Sequence, residues 1–270
     1  MEKLLLIDGN SLINRAFYAT PPLSDKSGQP TNAVFGFINM LIKSISDISP
    51  KYILVAFDRK EPTFRHQIYS DYKGTRKPMP DDLRPQIPLL KEVLKTMGIC
   101  IFDKAGIEAD DIIGTIAKRY GNKTIIITGD KDSFQLVDNN TSVYFTKRGI
   151  SDIDEYNFEN FKEKTGILPN QIIDLKACMG DSSDNIPGIK GVGEKTALSL
   201  IQTYENIENI YSNIDEFKGK LKEKIVESKD LAFLSKKLAT INTLVEIPLT
   251  LNDMTYSFPF NESVKRKFAD

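Results

Sequence analysis

Three short apolar runs in this chain each end on an aspartate: residues 4–8 close on Asp8, 53–58 on Asp58 and 125–130 on Asp130. Carboxylates gathered on one rim repel one another, so they call for protonation or for a cation. Hard oxygen donors suit Mg²⁺ or Mn²⁺. Further acids stand in turns and helix starts: Glu108, Asp110 and Asp111, then Asp132, then Asp181 and Asp184. Taken singly, acids at a helix start complement the macrodipole and cap free N–H groups, and acids in turns bond their own backbone. Taken together, the eight acids Asp8, Asp58, Glu108, Asp110, Asp130, Asp132, Asp181 and Asp184 are too many for capping alone. They also exceed what one Mg²⁺ uses, since that ion keeps several waters. Two ions are the natural count, and the expected chemistry is phosphodiester hydrolysis.

The elements that must position these groups follow from the pattern. Continuous apolar runs of this length read as strands buried on both faces of a parallel sheet, and ligands bind beyond the carboxyl ends of such strands. Strands are expected at 4–8, 52–58, 99–103, 123–129 and 141–146, with helices near 32–46, 85–97 and 108–120, giving an α/β fold with a mainly parallel sheet. The alternation is interrupted by a proline-punctuated insert at 59–85, too long for an ordinary connection and therefore a functional loop or lid. From Phe158 onward the pattern is helical, with a glycine-rich turn at 188–197 entering a helix and lysine-rich amphipathic helices near 215–228 and 229–241.

Composition limits the function classes. The net charge is −1, but it averages opposed populations: from Arg59 to Lys91 there are eight Lys and Arg against four acids. Basic surface flanking an acidic site suits a polyanionic substrate. No run is long and apolar enough to span a bilayer, and the start lacks the hydrophobic region of a secretory signal, so a cytoplasmic protein with no membrane partner is expected. Cys100 and Cys178 read as reduced core thiols, and His66 alone makes no zinc site.

The stretches Leu6-Ile7-Asp8-Gly9-Asn10-Ser11, Ala56-Phe57-Asp58 with Thr63-Phe64-Arg65, Tyr72-Lys73-Gly74-Thr75-Arg76, Glu108-Ala109-Asp110-Asp111, Thr128-Gly129-Asp130-Lys131-Asp132 and Gly180-Asp181-Ser182-Ser183-Asp184-Asn185-Ile186-Pro187-Gly188, running into Gly191-Val192-Gly193-Glu194-Lys195-Thr196-Ala197, occur in order over nearly the whole chain. In these the sequence resembles the 5′-nuclease (flap endonuclease) family, most closely the 5′→3′ exonuclease domains of bacterial DNA polymerases of type I.

The resemblance implies a PIN-like α/β core over 1–157, with the 59–85 insert as a helical arch, and a helical duplex-DNA-binding subdomain with a helix-turn-helix variant over 158–270. It implies that Asp8, Asp58, Glu108 and Asp110 hold a first divalent ion, that Asp130, Asp132, Asp181 and Asp184 hold or orient a second, and that Asp111 supports them. Lys73 and Arg76, at i,i+3 on one helix face, would stabilise charge on the scissile phosphate, with Arg65 as helper. Gly191, Gly193, Lys195 and Thr196 would grip duplex DNA, with K⁺ held by carbonyls of the 188–197 turn. Phe17 is expected in the core, while Tyr18, Tyr69 and Tyr72 are candidates for stacking on a base.

The expected partner is DNA with a 5′ flap, nick or 5′ end, including RNA-primed ends, bound by a monomer near the bacterial nucleoid, with a polymerase domain in a parent protein. Two other classes stand beside this one. A PIN-like ribonuclease would also use acids at strand ends, and a junction-binding protein without catalysis would keep the shape alone.

Overall fold

A computed structural model describes residues 2–120, 123–148 and 152–257; the part of the 158–270 subdomain beyond 257 lies outside the described residues. Among these, six strands form one sheet: β1 (Lys3–Asp8), β2 (Tyr52–Ala56), β3 (Cys100–Phe102), β4 (Lys123–Thr128), β5 (Thr141–Arg148) and β6 (Asp152–Tyr156). Their order is β3-β2-β1-β4-β5-β6, parallel throughout except for β6, which runs antiparallel to β5. β1 lies at the centre between β2 and β4, so Leu4, Leu5, Leu6 and Ile7 are fully buried on both faces.

Eleven helices follow in chain order: α1 (Gly9–Ala19), α2 (Asn32–Ile48), α3 (Phe64–Ile68), α4 (Gln86–Thr96), α5 (Ala109–Arg119), α6 (Phe161–Thr165), α7 (Ile172–Met179), α8 (Glu194–Tyr204), α9 (Ile207–Ser212), α10 (Gly219–Glu227) and α11 (Lys229–Ala239). One apolar cluster joins α1, α2 and α4 to a sheet face through Phe37, Leu41, Phe57 and Leu90. A second runs from Ile112 and Ile116 of α5, on the other face, to Phe161, Ile201 and Ile225 of the helical region. Helices therefore cover both faces, as a parallel sheet requires.

One expectation is corrected, and two features that the sequence reading did not address appear. Helix α1 starts immediately after β1; the Asp8 carboxylate caps it by accepting from Ser11 N–H at 2.9 Å. The basic insert, expected as a helical arch, is mostly non-helical. It contains the five-residue α3 followed by turns, and Lys73 lies in the left-handed region at φ 57, so Lys73 and Arg76 do not share a helix face. The physical reason is a clasp: Lys73 N–H donates to Asp184 O at 2.8 Å and Asn185 Nδ2 to Asp71 O at 2.7 Å, fastening the insert to the 180–186 turn. Finally, the chain after α11 runs back as a strap over α5. Thr115 Oγ1 donates to Asn242 O at 3.2 Å, Arg119 Nη1 to Ile247 O at 2.7 Å, and Tyr256 N–H to Lys51 O at 2.9 Å.

Between α7 and α8 the 180–193 turn is tight. Gly180 has φ 72 and Gly188 φ 64, and a Cβ on Gly188 would meet Gly180 N at 2.2 Å. Only glycine permits both that conformation and that approach.

Candidate active site

The parallel strands β1, β2 and β4 deliver Asp8, Asp58 and Asp130 to one end of the sheet, and the start of α5 delivers Asp110. These four, with Asn10, Ser11, Asn14, Lys73 and Arg76, line one pocket of about 160 Å³.

Each acid of the group also makes a local bond, so capping and clustering are both present. Asp8 Oδ1 caps α1 and Oδ2 accepts from Thr128 Oγ1 at 3.0 Å. Asp58 Oδ1 accepts from Ala109 N–H at 2.7 Å, Asp110 Oδ1 from Ser133 Oγ at 3.3 Å and Asp130 Oδ1 from Asp132 N–H at 2.9 Å. These bonds engage one oxygen of each of Asp58, Asp110 and Asp130, and all three residues line the pocket.

The electrostatics agree. Burial, then the charges of Asp58 and Asp130, push the Asp8 carboxyl up to about 7. Asp110 is raised well above the carboxylate range by burial and by Asp8, Asp130 and Asp58, and Asp130 is raised chiefly by burial. Among the described residues, none of Asp8, Asp58, Asp110 and Asp130 forms an ion pair.

The other expected acids are neutralised by cations of the protein. Lys73 Nζ pairs with Glu108 Oε1 at 2.5 Å and Arg76 Nη2 with Asp184 Oδ1 at 2.5 Å. Tyr72, 4% exposed, donates its hydroxyl between Glu108 Oε2 and Asp184 Oδ2, both at 3.1 Å. Lys176 pairs with Asp132 and with Asp181 Oδ2, the latter at 2.6 Å. The structure thus groups Asp130 with Asp8, Asp58 and Asp110, and sets Glu108 among cations. Among the described residues no three Asp, Glu, His or Cys side chains stand close enough together, as placed, to hold a metal ion.

Two expected site residues are corrected. Arg65 does not face DNA: it is 2% exposed, and its guanidinium donates to Glu108 at 2.7 Å, to both oxygens of Asp111 at 2.8 Å, and to the carbonyls of Leu238 and Thr240. Asp111 is fully buried, with its oxygens taken by Arg65 and by Asn242 N–H at 2.8 Å, so it anchors the fold rather than facing the pocket. Burying this much charge is tolerable only because every partner is present.

Of the aromatics, Tyr72 is held away from any base by its hydroxyl bonds, Phe17 packs partly on the core, and Tyr18 is 74% exposed. His66 closes the cap of α3, its Nδ1 accepting from Thr63 N–H at 3.1 Å. Burial pushes the Cys178 thiol up to about 12 and, with Asp253, that of Cys100 up to about 11, so neither is a nucleophile. Gly191, Gly193, Lys195 and Thr196 are all exposed at the start of α8. Lys176, Asn10 and Ser11 escaped the sequence-based site. Asn10 Oδ1 accepts from Asp58 N–H at 3.0 Å and Ser11 Oγ from Gly129 N–H at 2.8 Å; both stand in the stretch that carries Asp8, which was the available signal.

A mostly parallel sheet with an acidic pocket at its carboxyl edge, joined to a helical unit, defines a class of α/β proteins with an anionic centre suited to a cation. Comparison with known proteins narrows the class. The family model described as 5′-3′ exonuclease, N-terminal resolvase-like domain matches residues 3–166, and that described as 5′-3′ exonuclease, C-terminal SAM fold matches 167–262. DNA polymerase I of Bacillus subtilis (strain 168) is 46% identical over 273 residues, which cover all of this chain and 31% of the relative. The chain thus spans about a third of the length of the curated relatives it matches.

Among solved structures, the T5 D15 protein co-crystallised with metal ions aligns at a TM-score of 0.73 with 24% identity, over 90% of each chain. The bacteriophage T5 D15 flap endonuclease in a pseudo-enzyme-product complex with DNA and metal ions aligns at 0.71 with 25% identity, also over 90% of each. This chain belongs to the 5′-3′ exonuclease family. It is accordingly a nuclease of the 5′-3′ exonuclease type.

Proposed function

We propose that the chain hydrolyses DNA phosphodiester bonds at 5′ ends, nicks and flaps, RNA-primed ends included, using a pair of divalent ions, Mg²⁺ or Mn²⁺. The observation that carries this reading is the group Asp8, Asp58, Asp110 and Asp130, crowded, partly or wholly withdrawn from solvent and, among the described residues, without ion pairs, beside Lys73 and Arg76. Their donors are all carboxylate oxygens, the set a hard divalent cation takes, and their mutual repulsion favours a cation in their midst. These four would hold the ions, with Asp132, Asp181, Asp184 and Glu108 bordering them. A divalent pair supplies Lewis-acid activation of water and charge neutralisation at the phosphate.

The chain's own groups do the rest. Lys73 and Arg76 line the pocket while paired to Glu108 and Asp184, so an entering phosphate competes with those carboxylates for both cations. Transferred to the phosphate, they would stabilise charge as the bond breaks. Exposed Gly191 and Gly193 let a duplex backbone approach the N–H groups at the start of α8, and Lys195 and Thr196 add a charge and a hydroxyl. Carbonyls of the 188–197 turn would hold K⁺; Gly191 O already accepts from Lys224 Nζ at 3.1 Å, so the ion would draw on the others. Specificity would be for DNA shape, since phosphate contacts position without reading sequence.

Metal and DNA in the T5 relative's complex, and a polymerase I parent among the relatives, support the same reading, with the unit acting as a monomer near the nucleoid. No helix among the described residues is long and apolar enough to cross a membrane.

Cleavage of a 5′-flap DNA junction in Mg²⁺ or Mn²⁺ tests the proposal. Asp8→Ala and Asp130→Ala are expected to lose hydrolysis while keeping most duplex affinity, and Lys73→Ala to slow it. Wild-type rates in both aspartate variants would refute it.

A further inference from the structure

Charge is unevenly distributed around the acidic pocket. Asp8, Asp58, Asp110 and Asp130 have no ion pair among the described residues, whereas Asp132 and Asp181 share the ammonium of Lys176. This lysine is no drifting surface cation. It is 8% exposed on α7, and its side chain borders a cavity of about 250 Å³ beside Phe134, Leu175 and Met179. A buried ammonium is tolerable only when paired, and these two carboxylates are its ion-pair partners. Asp181 is fixed from its other side as well: Oδ1 accepts from Ser183 N–H at 2.8 Å and from Ser183 Oγ at 2.6 Å, leaving Oδ2 to Lys176. By contrast, Arg76 opposite Asp184 has a half-exposed side chain and can swing into solvent.

We propose that Lys176 is a built-in counter-cation that holds Asp132 and Asp181 in place and must be displaced before a divalent ion can take those carboxylates. The inference rests on the reading that the pocket loads divalent ions, and goes beyond it by making the loading ordered. The side formed by Asp8, Asp58, Asp110 and Asp130 fills first; the Asp132 and Asp181 side fills only as the ammonium withdraws. Lys176 is thus a positioning residue that sets the affinity of the second ion. A unit charge this close to a carboxylate shifts its affinity for a proton by roughly one to three powers of ten, and it competes in the same way with a metal ion.

Calorimetric titration of the full chain with Ca²⁺ tests this without relying on turnover. The wild type should show a tight and a weak class of site. Lys176→Met, which keeps the apolar stem and removes the charge, should tighten the weak class by about tenfold or more and leave the tight class unchanged, and Lys176→Arg should restore the weak affinity. An unchanged or weakened second class in Lys176→Met overturns the proposal. A measurement on the wild type needs no variant to fold: acetylation of Lys176, read by mass spectrometry, should be faster in saturating Ca²⁺ than in EDTA, and equal rates overturn the proposal as well. If the wild type binds no Ca²⁺ and Asp8→Asn changes nothing, the reading of the pocket as a metal site fails, and this inference with it.

Discussion

Arg65→Met distinguishes a structural arginine from one that touches substrate. Arg65 joins α3 to the start of α5 and to the end of α11: it pairs with Glu108 at 2.7 Å and Asp111 at 2.8 Å and donates to the carbonyls of Leu238 at 2.9 Å and Thr240 at 2.8 Å. Methionine fills much of the same volume but leaves the buried Asp111 without its cation, while Glu108 keeps Lys73. Breaking a buried pair from one side costs roughly 3–5 kcal/mol. For a chain of this size that lowers the melting temperature by roughly 5–9 °C. Urea unfolding and calorimetry measure the loss, and adding Asp111→Asn should recover part of it by removing one stranded charge.

DNA binding supplies the opposing readout. A phosphate-contacting arginine reduces the salt dependence of affinity by about one ion when removed, whereas Arg65, buried as it is, should leave that slope unchanged. A loss below about 1 kcal/mol together with a slope reduced by one would refute the reasoning and return Arg65 to the DNA surface.

Two more outcomes follow from the geometry. The Asp8 carboxyl is raised from 3.8 to about 7 in the metal-free chain, so the stability it contributes is complete below about pH 4 and is lost as pH rises through about 7. Asp8→Asn, which can still accept from Ser11 N–H, should therefore melt with the wild type at pH 4 in EDTA and exceed it at pH 8 by on the order of 2–4 kcal/mol; a lower melting point at pH 8 would contradict this. Gly188→Ala places a Cβ 2.2 Å from Gly180 N at φ 64, where backbone on both sides must shift, and should cost roughly 3 kcal/mol or more; denaturant titration showing no loss would remove the argument for that turn.

What was legible in the sequence were the features written over short distances. Strands β1, β2 and β4 announce themselves as continuous apolar runs, and the acids that close them sit at fixed offsets from those runs. β6 was hidden because Asp152–Tyr156 carries charges on an edge strand with only partly buried residues. Lys73 and Arg76 looked helical by spacing, yet the clasp to Asp184 and Asn185 sets the backbone there, and those partners lie over a hundred residues away. A shorter but still non-local separation hid Arg65, whose partners Glu108 and Asp111 are 43 and 46 residues on. Lys176 was hidden differently: in an apolar helical stretch it reads as an ordinary solvated cation, and only the packing of α7 turns it towards Asp132.

The strap over α5 bears on how the chain is made. Val245, Ile247 and Met254 complete the apolar cluster that α5 shares with β1 and β2, so a nascent polypeptide emerging from the ribosome carries a greasy, unsealed helix face until residues near 256 have been synthesised. Contacts of such long sequence separation form late, and in the interval that face is open to chaperones or to self-association.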